Sequence, residues 1–286
     1  GPAGDAVNRR RPLRGWGALA PLAALGLAGA ACATGRSPAI DPATRPMSPG
    51  YQALFRGQSE GPEGKNRFRL AVTLLPPDRI RMEFFGPAGG PRLVVAASRD
   101  SAVALRPSEW VYERAASSAR ALEGLLGVPL DAAGLVSLFT GRPMCSPEAV
   151  RVEVQTRPAA TFGRTLAWYE VTCPPGEVRY QARCEERGGN LLSAVVREGI
   201  SGAIILDVEY GDYEKGLGPR WPRQIRVRLP RRGAAVELSA VEGPWARNVS
   251  EEIVSPEIPD GFRERAPGPV PGAQGLLGGV DVNPGD

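Results

Sequence analysis

Histidine is missing from all 286 residues. Its absence removes imidazole general bases, Ser-His-Asp and Cys-His catalysis, and the commonest ligands of zinc and haem. Cysteine is scarce, with four in the chain, and a thiol nucleophile without a histidine partner lacks its usual activation. Net charge is thin outside one short stretch. The formal total is +4, and Arg9, Arg10, Arg11 and Arg14 against Asp5 supply +3 of it, leaving +1 for everything after Ala31. So neutral a remainder lacks the basic footprint of a nucleic-acid binder. The glycine turns Gly86-Pro87-Ala88-Gly89-Gly90 and Gly188-Gly189-Asn190 lack a following Lys-Ser and are not phosphate loops. Asp207 with Glu209, and Glu185 with Glu186, sit in alternating charged strands, where a solvated face is a commoner reading than a glycosidase pair. What the chain does have is a hydrophobic fraction of 42%, enough for a sizeable buried core.

The N-terminal arginines precede an apolar run, Gly15 to Ala31, that ends in small residues before Cys32. Basic, then apolar, then small is a signal-peptide layout. The run holds Pro21 and four glycines, and at about 17 residues it is shorter than the ~20 apolar residues of a membrane span. Leu27-Ala28-Gly29-Ala30-Ala31-Cys32 resembles the lipobox of bacterial lipoproteins, whose cysteine is acylated before cleavage, although Gly29 stands where that pattern usually has leucine. That resemblance implies a signal peptide over 1–31, Cys32 as the lipidation site carrying palmitate-like chains, and a stalk over 32–48 rich in Pro, Ser, Thr and Ala. Several acyl chains on one cysteine would hold the domain to a membrane, since a single chain anchors only marginally. Ala33, a residue other than aspartate after the cysteine, implies by the enterobacterial sorting rule it resembles an outer-membrane, periplasm-facing location. The alternative is ordinary secretory cleavage after Ala30 with Cys32 incidental.

From Tyr51 onward apolar and polar residues alternate at period two, as in Arg67-Phe68-Arg69-Leu70-Ala71-Val72 and Arg79-Ile80-Arg81-Met82-Glu83-Phe84. This predicts half-buried antiparallel strands, joined as a meander by Pro76-Pro77-Asp78, Gly86–Gly90 and Ser98–Ser101. The period then changes. Ser117-Ser118 opens a helix carrying Leu122, Leu125 and Leu126 and ending at Gly127, and Asp131 caps a second carrying Leu135, Val136, Leu138 and Phe139 and ending at Gly141. Strand character resumes at Val150–Gln155, Thr165–Thr172, Glu177–Cys184, Leu191–Arg197, Ala203–Tyr210, Gln224–Leu229 and Ala234–Ala240. About a dozen strands interrupted once by a helix pair predict one closed or half-closed barrel. The Pro- and Gly-rich stretch 266–286 reads as a disordered tail.

The stretch from Tyr51 to Met144 resembles the LolA/LolB-type lipoprotein carriers. The resemblance rests on strand Arg79–Phe85, the Gly86-Pro87-Ala88-Gly89 turn, strand Arg92–Ala96, and the helix pair Leu122–Leu130 and Leu135–Pro143. It implies a mainly β (α+β) fold over 49–265, a half-open antiparallel β-barrel covered by a short helical lid, with an apolar interior that takes acyl chains. Lid residues would be Leu122, Leu125, Leu126, Leu135, Leu138 and Phe139, facing Phe68, Leu70, Val72, Ile80, Met82 and Phe84 of the sheet; plain core packing is the equal alternative for the helix pair. The turn with Pro87 and Ala88 would face the membrane, but with Ala88 where such receptors carry an exposed leucine. That change forgoes roughly 1.5 to 2 kcal/mol of insertion at ~0.8 per methylene.

Cys173 and Cys184 flank a Pro174-Pro175-Gly176 turn on predicted neighbouring strands, so a disulfide between them is a candidate, with rival pairings through Cys145 left open. The resulting expectation is a non-enzymatic lipid-anchored lipoprotein without a cofactor or metal. It binds acyl chains of lipids or lipoproteins in a transport or receptor role in outer-membrane biogenesis, with a periplasmic carrier or envelope protein as possible partner. The alternative is an assembly lipoprotein with a filled core that works through surface contacts. A cavity of about 300 Å³ or more beneath the helices, where ligand pockets begin, would favour the carrier, and a filled interior would sink that reading.

Overall fold

Period-two alternation with turn residues between the runs does produce strands, and the two cap-bounded leucine segments produce the helices. The computed structural model describes residues 50–62, 64–86, 89–144, 151–157, 166–173, 178–185, 190–198, 201–213, 220–255 and 258–266, with backbone alone for 151–179 and 183–185. Cys32, Pro87, Ala88, Cys145, the proposed signal peptide and stalk, and the tail from 267 lie outside the described residues.

The first half runs β1 (Tyr51–Gly61), β2 (Gly64–Leu75), β3 (Arg79–Phe85), β4 (Pro91–Ala97), β5 (Ser101–Arg106) and β6 (Val111–Ala116), then α1 (Ala119–Leu126) and α2 (Ala132–Thr140). The second half runs β7 (Arg151–Arg157), β8 (Leu166–Cys173), β9 (Val178–Glu185), β10 (Leu191–Glu198), β11 (Ile204–Tyr213), β12 (Pro222–Leu229) and β13 (Ala234–Ala246), then α3 (Glu251–Val254) and β14 (Arg263–Glu264). All strands join one sheet in the order β14-β6-β5-β4-β3-β2-β1-β13-β12-β11-β10-β9-β8-β7. Two antiparallel meanders, β1–β6 and β7–β13, are thus stitched together where β1 pairs with β13. Among the described residues β14 and β7 end the sheet without pairing to each other, so the barrel stays open.

One face of the sheet carries the main core. Leu70, Val72 and Leu74 of β2, Ile80, Met82 and Phe84 of β3, and Leu206, Val208 and Tyr210 of β11 alternate into it, and α1 and α2 pack on the same side. On the other face charged side chains prevail, except over β4 and β5. There Val94, Val103 and Leu105 form a second cluster with Tyr112, Ile258 and Phe262. The chain after α3 returns across this patch, and β14 adds to β6 as a parallel edge strand. Arg263 and Arg265 N–H groups donate to the Trp110 and Tyr112 carbonyls at 2.9 and 2.8 Å. An exposed strand edge is thereby paired rather than left as a template for association.

The register corrects the disulfide candidate. Cys173 stands opposite Val178 and Cys184 opposite Ala167. The six positions between Ala167 and Cys173 span about 20 Å along β8 at ~3.3 Å per residue, well beyond the ~7 Å Cα separation a disulfide bridges. Flanking one turn does not bring two residues into register when one is next to it and the other lies near the far end of its strand.

Candidate functional site

The candidate site is the apolar face beneath α1 and α2. Each helix begins on a side-chain cap. Ser118 Oγ accepts from the Ala121 N–H at 3.2 Å, and Asp131 Oδ1 accepts from the Gly134 N–H at 2.7 Å. Each stops on a left-handed glycine, Gly127 at φ 78° and Gly141 at φ 60°. In that conformation a Cβ is costly. At Gly141 a Cβ would also stand 2.9 Å from the Tyr213 hydroxyl.

Leu122, Leu125 and Leu126 form the buried stripe of α1, whereas α2 is buried on most of its surface. α2 lies on β3 and β12, and α1 lies on β6. The Phe139 ring meets Phe55 of β1 at 5.7 Å between centroids, and Phe68 meets Phe84 at 5.9 Å. Outside the apolar contacts, Arg232 in the turn after β12 reaches Glu123 of α1 at 3.0 Å.

The twelve residues named from the sequence therefore stand together. Leu70, Val72, Ile80, Met82, Phe84, Leu122, Leu125, Leu126, Leu135, Leu138 and Phe139 are buried in one cluster, and Phe68 packs half-buried against it. Sequence reasoning missed Tyr51, Phe55 and Trp221, which close one end of the covered space, the Tyr51 and Trp221 rings being 4.0 Å apart. The period-two signal in β1 is weak because small or polar Gly57 and Ser59 take its buried positions while Leu54 lies on the other parity. The Trp221-Pro222 pair preceding a strand was the available sign of the third.

The covered space is small. The opening at its end, lined by Tyr51, Phe55, Val72, Leu74, Phe139 and Trp221 among others, has a cavity volume of about 10 Å³, the room of one water, far from the ~300 Å³ at which ligand pockets begin. In this conformation the leucines and Phe139 of the helix pair occupy the interior themselves. Among the described residues these buried side chains take up the space expected as a cavity.

On the opposite face of the sheet Arg228 donates to Asp207 and Glu209, each at 3.0 Å, and these hydrogen bonds raise the guanidinium further above its usual value. Asp207 and Glu209 are thus bound to an arginine, as a solvated charged ladder. Among the described residues no three His, Cys, Asp or Glu side chains converge as a metal site, and no helix is long and apolar enough to cross a membrane.

Solved structures share this architecture. A LolA superfamily protein from Nitrosomonas europaea superposes with a TM-score of 0.54 at 14% identity, over 75% of this chain and 94% of that one. A putative outer membrane lipoprotein-sorting protein domain from Vibrio parahaemolyticus gives 0.54 at 13% identity, over 72% and 88%. A DUF1329 family protein from Desulfovibrio piger gives 0.55 at 12% identity, over 73% and 90%. The likeness is one of fold, an open antiparallel sheet with helical elements. No family model matches the sequence, and no curated protein matches it either.

Proposed function

We propose that this protein binds acyl chains of lipids or lipoproteins on the apolar face beneath α1 and α2, by displacing the helix pair, and serves a carrier or receptor role in the bacterial envelope. The observation that carries this reading is that an open sheet presents a continuous apolar face whose central cover is two short helices bounded by left-handed glycines. An acyl chain entering there would trade one apolar neighbour for another, so the sheet face stays out of water throughout. The lipoprotein-sorting description of the Vibrio structure and the shared fold support the class of ligand. Cys32, acylated, would anchor the protein to the outer membrane facing the periplasm. Leu122, Leu125, Leu126, Leu135, Leu138 and Phe139 are the displaced set; Phe68, Leu70, Val72, Ile80, Met82 and Phe84 are the surface the chain would meet. No covalent step belongs to this role.

The filled interior favours a second reading, an assembly lipoprotein that acts through surface contacts. Native mass spectrometry with lipid extraction, on the chain purified from an envelope with its natural lipids, separates the two. A stoichiometric acylated species, lost in Val72→Glu/Met82→Glu protein that still shows the β spectrum, supports the carrier, because these two lie opposite each other on the sheet face the chain would meet. A folded and consistently empty protein supports the assembly role.

A further inference from the structure

The face opposite the helix pair holds a cluster of arginines that the acyl-binding reading does not use. Strand parity sends Phe55 and Leu70 into the core and leaves Arg56, Arg67 and Arg69 exposed on the other side. The ladder register puts Arg56 directly opposite Arg69. Like charges so placed repel across a strand pair, a cost that an anion between them would relieve. Arg69 lies 6.0 Å over the ring of Phe85, its cross-strand neighbour in β3. Arg92 of β4 completes the group, lying along Gly86, where a Cβ would stand 2.3 Å from Arg92 Nε. Among the described residues none of these four arginines is paired with a carboxylate. Three acids flanking them on this face are already engaged, Glu60 by Lys65 at 3.1 Å, Glu83 by Arg81 at 2.7 Å and Glu237 by Arg226 at 3.2 Å, and Glu242, opposite Leu54, is a fourth at the margin of the group. Four arginines without an ion-pair partner among the described residues thus share one face of the sheet.

We infer that this patch, Arg56, Arg67, Arg69 and Arg92 around Phe85, docks the protein on the headgroups of an anionic phospholipid surface. Guanidinium groups suit phosphate, which they bind in a planar, two-pronged fashion. The neighbourhood also argues against a folded protein as the occupant. Exposed large apolar residues are Trp110, Val241, Trp245 and Ile253, and of these Val241 alone borders the patch, so beyond the half-buried Phe85 under Arg69 it offers no large exposed apolar anchor of the kind on which protein interfaces centre. A fluid headgroup layer needs no such anchor and no shape match. The inference stands whether or not the covered face takes acyl chains. If it does, docking by this face would leave the helix pair, which packs on the other one, turned away from the bilayer it rests on.

The test is co-sedimentation of the full chain with phosphatidylcholine vesicles, with and without phosphatidylglycerol. The N-terminal apolar run is common to every variant, so the reading is the increment that phosphatidylglycerol adds. Each basic residue near an anionic surface contributes about fivefold to partition, and Arg56→Gln/Arg69→Gln is expected to lower the increment by roughly 25-fold. Arg114→Gln/Arg120→Gln removes the same charge from two exposed arginines elsewhere, neither ion-paired, and is expected to leave most of the increment in place. Circular dichroism establishes that both variants are folded. Equal losses in the two variants would mean that net charge alone is read, and would overturn the assignment. So would a wild-type protein with no increment, which would turn the patch over to an acidic protein surface.

Discussion

If the helix pair is a displaceable cover, then weakening it should tighten acyl binding. Leu138 is 4% exposed and sits among the α2 residues that fill the space over β3 and β12. Leu138→Ala removes buried methyl and methylene groups and leaves a void, a change that costs about 3 kcal/mol in well-packed sites. That cost falls on the covered state alone, because Leu138 has left the sheet face once the helices lift. The uncovered population then rises by about 100-fold, at one decade per ~1.4 kcal/mol. While that population is small, apparent affinity rises in proportion to it. Displacement of a fluorescent long-chain fatty acid from the wild type and the variant measures the ratio. Hydrogen exchange at the Leu122, Gly127, Leu135 and Arg142 amides, all bonded within or at the ends of the two helices, should accelerate in parallel. A variant that loses global stability but shows the same or weaker acyl affinity would refute the cover mechanism, because the lost packing would then belong to the core as a whole. The void left by one leucine is too small to admit a long acyl chain by itself.

Two further predictions concern the edges of the fold. Arg265 bonds Glu113 with two nitrogens and Glu109 at 3.0 Å, and Glu113 raises the Arg265 pKa; Arg265→Ala should cost about 2 kcal/mol locally, a typical value for charged hydrogen bonds. Amide exchange at Arg263 and Arg265 should then speed up by roughly 30-fold with the main sheet unaffected, and unchanged protection would show that apolar packing of Phe262 alone holds the strap. Glu198 accepts from the Ser201 hydroxyl and from Arg231, each at 2.5 Å, and these contacts hold its carboxyl below the usual 4.5. A depressed folded value means that its contribution is present above pH 4.5 and lost as pH falls through the folded value. The stability gap between wild type and Glu198→Gln, measured by urea unfolding, should therefore close on acidification, and a gap constant from pH 7 to pH 3 would contradict the assignment.

What could be read in the sequence was whatever is encoded within one element. Ser118 and Gly127, and Asp131 and Gly141, mark their helices because caps act on the residues beside them, and the observed ends are at those positions. Strands β2, β3 and β9 to β12 were legible because one face of each is buried and the other wet. β6 was not. Its sequence alternates, but Glu113 takes a buried position at 8% exposure, tolerated because Arg106 and Arg265 meet it there. The partner Arg265 is 152 residues away, so no local pattern announces it. Register was equally hidden, and with it both the failure of the Cys173–Cys184 pairing and the meeting of Arg56 with Arg69. The volume beneath the helices depends on how every side chain in the cluster packs, which a list of apolar positions does not contain.

A filled interior and a ligand-binding role are compatible only if whatever fills the interior is less firmly held than the walls. The walls are ladder-paired strands, each antiparallel to its neighbours from β6 round to β7. The filling is two helices of eight and nine residues, below the ~12–15 residues at which a helix begins to stand alone in water. Their order therefore derives from packing on the sheet, from one cap at each start and from the Arg232–Glu123 pair. Remove the packing, by substituting an acyl chain for the leucines, and little remains to keep the helices in place. Such a segment belongs to the low-stability end of a structure, where lids and ligand-gated elements are found. On the proposed reading, the small volume under the helices is that of a closed state, and the area of apolar sheet they cover, rather than the space they leave, would set how much ligand the fold accepts.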